Sequence, residues 1–160
     1  PYHAGTSHDI LQTLLTLKQL TPASPLILIG FSLGGNIALK LMGELGEKAE
    51  ELVKSTLAVC PPIDLAQTTH QLLQRSHHLY HQYYLKKLLR IGIRWIGSRA
   101  VKTIVDFDHI VTAANWGYQD AFDYYRQCSS QYFLPLIQHS SSHVILTADD
   151  PFVDYRLAIQ

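Results

Sequence analysis

The pentapeptide Gly30-Phe31-Ser32-Leu33-Gly34 limits what this chain can fold into more than any other stretch. An apolar run, Leu26-Ile27-Leu28-Ile29, leads into it, and a helix-like segment, Asn36-Ile37-Ala38-Leu39-Lys40-Leu41, leads out. A strand that turns sharply into a helix is the setting in which G-x-S-x-G forms a nucleophile elbow. The turn holds the serine in a strained conformation and lifts its hydroxyl off the sheet edge. Gly30, Gly34 and Gly35 would let strand and helix backbones approach where a Cβ would collide. Ser32 is thus the candidate nucleophile, and the backbone N–H of Leu33, at the positive end of the helix, the candidate oxyanion donor. The alternative is an ordinary glycine-rich strand-to-helix turn.

Three further stretches extend the pattern: Tyr2-His3-Ala4-Gly5, Asp120-Ala121-Phe122-Asp123-Tyr124-Tyr125-Arg126-Gln127-Cys128-Ser129, and Ala148-Asp149-Asp150-Pro151-Phe152. With Gly30 to Asn36 they resemble, in order and along nearly the whole chain, the YheT-like branch of the α/β-hydrolases. The resemblance implies a Ser, Asp, His triad, with Ser32 as nucleophile and the acid in Asp149-Asp150-Pro151. Asp150, directly before the proline, is the first choice and Asp149 the second. It implies no cofactor and no metal, and a small-molecule ester or lipid as substrate.

In such hydrolases the histidine follows the acid, yet none of the ten residues from Pro151 to Gln160 is histidine. The oxyanion loop would precede Pro1. The expectation is therefore the central part of a longer hydrolase, a single partial domain over 1–160, inactive by itself. The rival reading is a hydrolase-like piece or pseudoenzyme without the triad histidine, serving at most as a binding module. His109, His3 and His8 are the histidines to consider as substitute bases, and chain order opposes them.

The 47% of hydrophobic residues against 16% of charged ones describe a globular core. Thirteen acidic residues cancel thirteen basic ones, so no global field favours nucleic acid. Cys60 and Cys128, far apart and in no C-x-x-C pair, read as two buried, reduced thiols of a cytoplasmic protein.

Apolar runs at 26–29, 56–60 and 143–147, separated by helical patterns, predict a mostly parallel sheet with helices on both faces. Thr6-Ser7-His8-Asp9 predicts a capping box opening a helix to about Leu20. The helix after the elbow should stop near Gly43 or Gly46, and another should cover 119–127. Residues 66–99 predict a helical cap whose apolar face would carry Leu72, Leu73, Leu79, Tyr80, Tyr83, Tyr84, Leu88, Leu89, Ile91 and Trp95.

No acidic residue lies between Asp64 and Asp106, while Arg75, Lys86, Lys87, Arg90, Arg94, Arg99 and Lys102 are seven of the thirteen basic ones. A basic stretch of this kind, 75–102, fits either a solvated lid face or contact with an anionic membrane surface. His77 and His81 have metal-ligand spacing but lack the glutamate of H-E-x-x-H and a third ligand. Asp106-Phe107-Asp108-His109 begins like a calcium loop but has Val111 where glycine is needed and Gly117 where glutamate is needed. A structural role is expected there. Tyr118, Tyr124, Tyr125 and Tyr132 read as packing and pocket lining.

Overall fold

The computed structural model describes residues 3–96, 100–138 and 140–158. The chain divides into two compact units: a helical one over Leu65–Gln127, and a sheet-bearing one formed by the chain up to Asp64 together with that from Cys128 onward.

In the sheet-bearing unit the order is helix α1 (Ser7–Leu20), strand β1 (Ile27–Phe31), helix α2 (Leu33–Leu45), the short helix α3 (Ala49–Leu52), strand β2 (Ser55–Val59) and, after the helical unit, strand β3 (Ser142–Ile145). The strands are parallel in the order β1-β2-β3, with Ile29 opposite Leu57 and Leu57 opposite His143. An α/β fold is thus present. β1 runs two residues past the apolar run, because Gly30 and Phe31 continue the ladder opposite Ala58 and Val59. Helix α2 ends at Leu45, where Gly46 at φ 55° stops it in a backbone conformation that favours glycine.

One face of the sheet is packed. Leu14 of α1 joins Leu41 and Met42 of α2, Ala49 and Leu52 of α3, and Val53 in one buried cluster against which Leu26 and Leu28 pack. Leu39, Ala58 and Ile63 form another. The expectation of helices on both faces does not hold among the described residues. Ile27, Ile29 and Phe31 are 61%, 53% and 68% exposed, and Ile145 at the end of β3 is also exposed. Strands that read as continuously apolar are built for burial on two sides, but α1 and α2 account for one.

Two local expectations are also corrected. Thr6 stands at the N-cap of α1 with φ −80° and ψ 30°, and its side chain makes no cap bond. Its hydroxyl instead donates to the His3 carbonyl at 2.9 Å, since an N-cap oxygen is aimed correctly only from an extended backbone. Cys128 is buried but Cys60 is only partly so; both are free thiols.

The helical unit contains α4 (Leu65–Leu72), α5 (His78–Ile96), α6 (Ile104–Phe107), a π-helical turn (Asp108–Ala113), α7 (Ala114–Trp116) and α8, which extends to the boundary (Ala121–Cys128). The capping box absent from α1 occurs here: Thr103 Oγ1 accepts from Asp106 N–H, and Asp106 Oδ2 accepts from Thr103 N–H. The apolar face expected for the cap is rearranged. Leu72, His81 and Leu85 are buried, whereas Leu73, Leu79, Tyr80, Tyr83, Tyr84 and Ile91 are exposed. The side chain of Trp95, and Arg99 and Tyr2 entirely, lie outside the described residues.

Asp108 links the π-helical turn to α8. Its Oδ1 accepts from Thr112 Oγ1 at 2.8 Å and its Oδ2 from the buried Tyr125 hydroxyl at 2.7 Å. Burial pushes its carboxyl up to about 6, against the pull of the Tyr125 and Thr112 hydroxyls. Asp123 goes the other way: the Gln127 amide, Gln119 N–H and Arg126 hold it down to about 2. His81 is kept below its ordinary value, chiefly by burial.

The raised Asp108 means that the folded state keeps a proton the unfolded chain releases. Its stabilising contribution is full below the unfolded value near 3.8 and is lost as pH rises through 6. His81 slopes oppositely, so a difference measurement isolates Asp108. Measured by urea unfolding, the stability of wild type relative to Asp108→Asn should fall by up to about 3 kcal/mol between pH 4 and 7. A difference independent of pH would refute the assignment.

Candidate active site

The strand-to-helix junction is tightly built. Ser32 is exposed and adopts φ 49°, ψ −121° between the last residue of β1 and the first of α2. An L-residue in that region carries strain of about 1–3 kcal/mol, which the surroundings must enforce. They do so from several sides. The Ser32 N–H donates to Val59 O at 2.8 Å, extending the β1–β2 pairing one residue past the strand. Its carbonyl already accepts the first helical bonds, from Gly35 at 2.9 Å and Asn36 at 3.2 Å.

A Cβ on Gly30 would collide with the Gly34 carbonyl and lie 2.7 Å from Gly35 N. One on Gly35 would lie 3.1 Å from both Gly30 O and Pro61 Cβ. Gly30 is therefore fixed by backbone contact, and Gly35 by the Gly30 carbonyl and the Pro61 ring together. The N–H of Leu33, among the first of α2, has no carbonyl one turn back to bond. It lies at the end where the helix dipole favours negative charge.

Asn36, which the sequence reading passed over, fastens the elbow helix to a distant part of the chain. It is fully buried; its Nδ2 donates to Cys128 O at 2.8 Å, and its Oδ1 accepts from Ser130 N–H at 2.8 Å. A primary amide within an apolar helical run was the available signal, since a buried amide needs both a donor and an acceptor partner.

Because all three strands are parallel, Ser32 after β1 and the loop after β3 emerge at the same edge of the sheet. In that loop Asp150 is half-buried, and its Oδ1 accepts from the N–H groups of Phe152 at 2.8 Å and Val153 at 3.0 Å. Asp149 is exposed. Cys60 follows β2 at the same edge, also at positive φ, 45°, with its N–H on Ile145 O at 2.8 Å.

A hollow of about 450 Å³ bordered by Lys18, Glu50, Glu51, Lys54 and Ser140 belongs to the opposite, N-terminal edge. His3 is buried, with Nδ1 accepting from Gly5 N–H at 3.1 Å; His8 and His109 are exposed. Neither His77 nor His81 is set up as a ligand: His77 Nδ1 lies 2.9 Å from Gln71 O, and His81 Nε2 accepts from Ile104 N–H at 3.2 Å. Among the described residues no three His, Cys, Asp or Glu side chains could together hold a metal ion.

The sequence is similar to those of known proteins. Over 98% of its length the chain is 29% identical to a putative esterase, YheT, of Escherichia coli, covering 48% of that protein. The chain is thus similar in sequence to a YheT-type esterase. It is also 24% identical, over 99% of its length, to a monoacylglycerol lipase of Saccharomyces cerevisiae, and 25% identical, over 80%, to human phospholipase ABHD3, covering 38% and 34% of them. The chain thus spans about half, or less, of the length of these relatives. No family model matches it.

Two substitutions test how the elbow is held. Gly30→Ala should destabilise the sheet-bearing unit by more than about 2 kcal/mol, because the methyl meets backbone that cannot give way. Asn36→Ala removes the amide bonds to the buried Cys128 carbonyl and Ser130 N–H and should cost about 2–5 kcal/mol. Denaturant midpoints read both effects, and a change under about 0.5 kcal/mol at either site would contradict the contacts described.

Proposed function

We propose that the protein carrying this sequence is a serine hydrolase of carboxylic esters, with acyl esters of lipids among its substrates. The observation that carries the reading is Ser32 itself: an exposed serine in a strained conformation at a strand-to-helix junction. Its hydroxyl would attack the ester carbonyl and pass its proton to a histidine, which returns it to the departing alcohol. Water would then cleave the acyl-serine by the same route. The Leu33 N–H would meet the developing oxyanion, reinforced by the dipole of α2.

Asp150 is the proposed acid. With Oδ1 held by two backbone N–H groups, the carboxylate is oriented before any imidazole arrives, and Oδ2 keeps its lone pairs for the ring. Adjacent strands stand about 4.8 Å apart, so the ends of β1 and β3 lie roughly 10 Å from one another. An imidazole about 2 Å between its nitrogens, with a hydrogen bond of about 3 Å on either side, reaches about 8 Å, and the serine and aspartate side chains cover the remainder. The α/β-hydrolase order puts this histidine after the acid, so it would come from sequence following Gln160 in a longer protein. No cofactor enters the chemistry.

The test uses that longer protein. A fluorophosphonate probe should label it rapidly and Ser32→Ala not at all, and hydrolysis of p-nitrophenyl esters should vanish with the same substitution. Asp150→Asn should lower kcat by about 10⁴ with the fold intact, since the histidine loses its orienting partner. Asp149→Asn should change kcat little; the reverse result moves the acid to Asp149. Absent labelling and absent hydrolysis would establish the rival reading, a hydrolase-like binding module.

A further inference from the structure

Helix α5 has two unlike faces. Inward, His81, Leu85 and Gly92 are buried at a four-residue repeat followed by a seven-residue step. A helical stripe of that spacing satisfies the packing requirement of a surface helix. Outward, Leu79 is 84% exposed, Tyr80 50%, Tyr83 54% and Ile91 58%. Lys86, Lys87, Arg90 and Arg94 are exposed on the same side. At 100° per residue, Leu79, Tyr83, Lys87, Arg90 and Arg94 fall within one narrow sector, about 80° wide. The Lys87 ammonium stands 4.4 Å over the Tyr83 ring.

A merely solvated face would carry polar residues at 79, 80 and 83; a face made for another protein would be poor in lysine. Aliphatic and aromatic side chains mixed with lysine and arginine, without acids, are what an interfacial helix presents to anionic lipid. The acid-free stretch continues on both sides of α5, from Leu65 to Val105. No helix among the described residues is long and apolar enough to cross a membrane, so contact would be along the surface.

We propose that the outward face of α5 docks on anionic phospholipid bilayers. Leu79, Tyr80 and Tyr83 enter the headgroup–acyl boundary, while Lys86, Lys87, Arg90 and Arg94 pair with lipid phosphates and carboxylates. This is independent of the esterase reading, because its readout is binding.

The test is flotation of the longer protein with vesicles of phosphatidylcholine, alone or containing phosphatidylserine. Binding should require the anionic lipid and weaken with added salt. At about fivefold per cation, the Lys86→Gln/Lys87→Gln/Arg90→Gln triple should lose about a hundredfold in partitioning. Leu79→Ser with Tyr83→Ser should lose about tenfold or more through the apolar part. Circular dichroism controls for folding, and hydrolysis of a soluble ester should be unchanged by either variant. Failure of the folded protein to bind overturns the proposal, as does equal binding to neutral vesicles, binding that survives the triple, or displacement of vesicles by RNA at equal phosphate concentration.

Discussion

The closeness of two backbones, where β1 passes into α2, is the constraint on which the sheet-bearing unit depends. Gly30 lies so near Gly34 and Gly35 that no Cβ fits between them, and this approach leaves Ser32 only a positive-φ route from strand to helix. The consequences spread outward. Helix α2 is held down against β1 and β2, the cluster around Leu41 and Met42 forms between it and α1, and the Ser32 N–H is drawn onto Val59. Strain at one residue is thus the local cost of a packing arrangement that the whole layer shares.

The helical unit has a different organising element, a carboxyl group rather than a backbone contact. Asp108 receives hydroxyls from Thr112 and Tyr125 in a π-helical turn, and Asp106 two residues earlier closes the capping box with Thr103. One acidic pair therefore fixes both the start of the α6–α7 segment and its attachment to α8. Burial and the charge of Asp108 keep the Tyr125 hydroxyl protonated, so it remains a donor across the ordinary pH range.

Much of this was legible in the sequence. The strand-to-helix turn at Ser32, the three strands and a stop of α2 near Gly43 or Gly46 followed from apolar runs punctuated by glycine, because those signals are local. What was illegible depended on partners far along the chain. The runs at 26–29 and 143–147 carry no mark of whether both faces find cover, and Ile27, Ile29 and Ile145 are exposed. Thr6-x-x-Asp9 and Thr103-x-x-Asp106 are the same pattern, yet only the second has the extended N-cap backbone that capping requires. Tyr80, Tyr83 and Leu79 fit a helical apolar face by period, but two apolar sectors share α5 and periodicity alone could not say which was buried. The choice of Asp150 over Asp149 came from resemblance, and the bonds from Phe152 and Val153 N–H to Asp150 depend on a loop conformation that the residues alone did not disclose.

The chain leaves the sheet-bearing unit after Asp64 and returns at Cys128, and the two ends are fastened together. Gln131 N–H donates to Ile63 O at 3.0 Å, and Asn36 grips Cys128 and Ser130. The sheet-bearing unit therefore closes on its own contacts at the two ends of the intervening segment. Closure entropy grows slowly with length, by about 0.6 kcal/mol for each doubling. Evolution is consequently free to lengthen, shorten or replace what lies between these ends at small cost to the scaffold that carries β1, α2 and the turn between them.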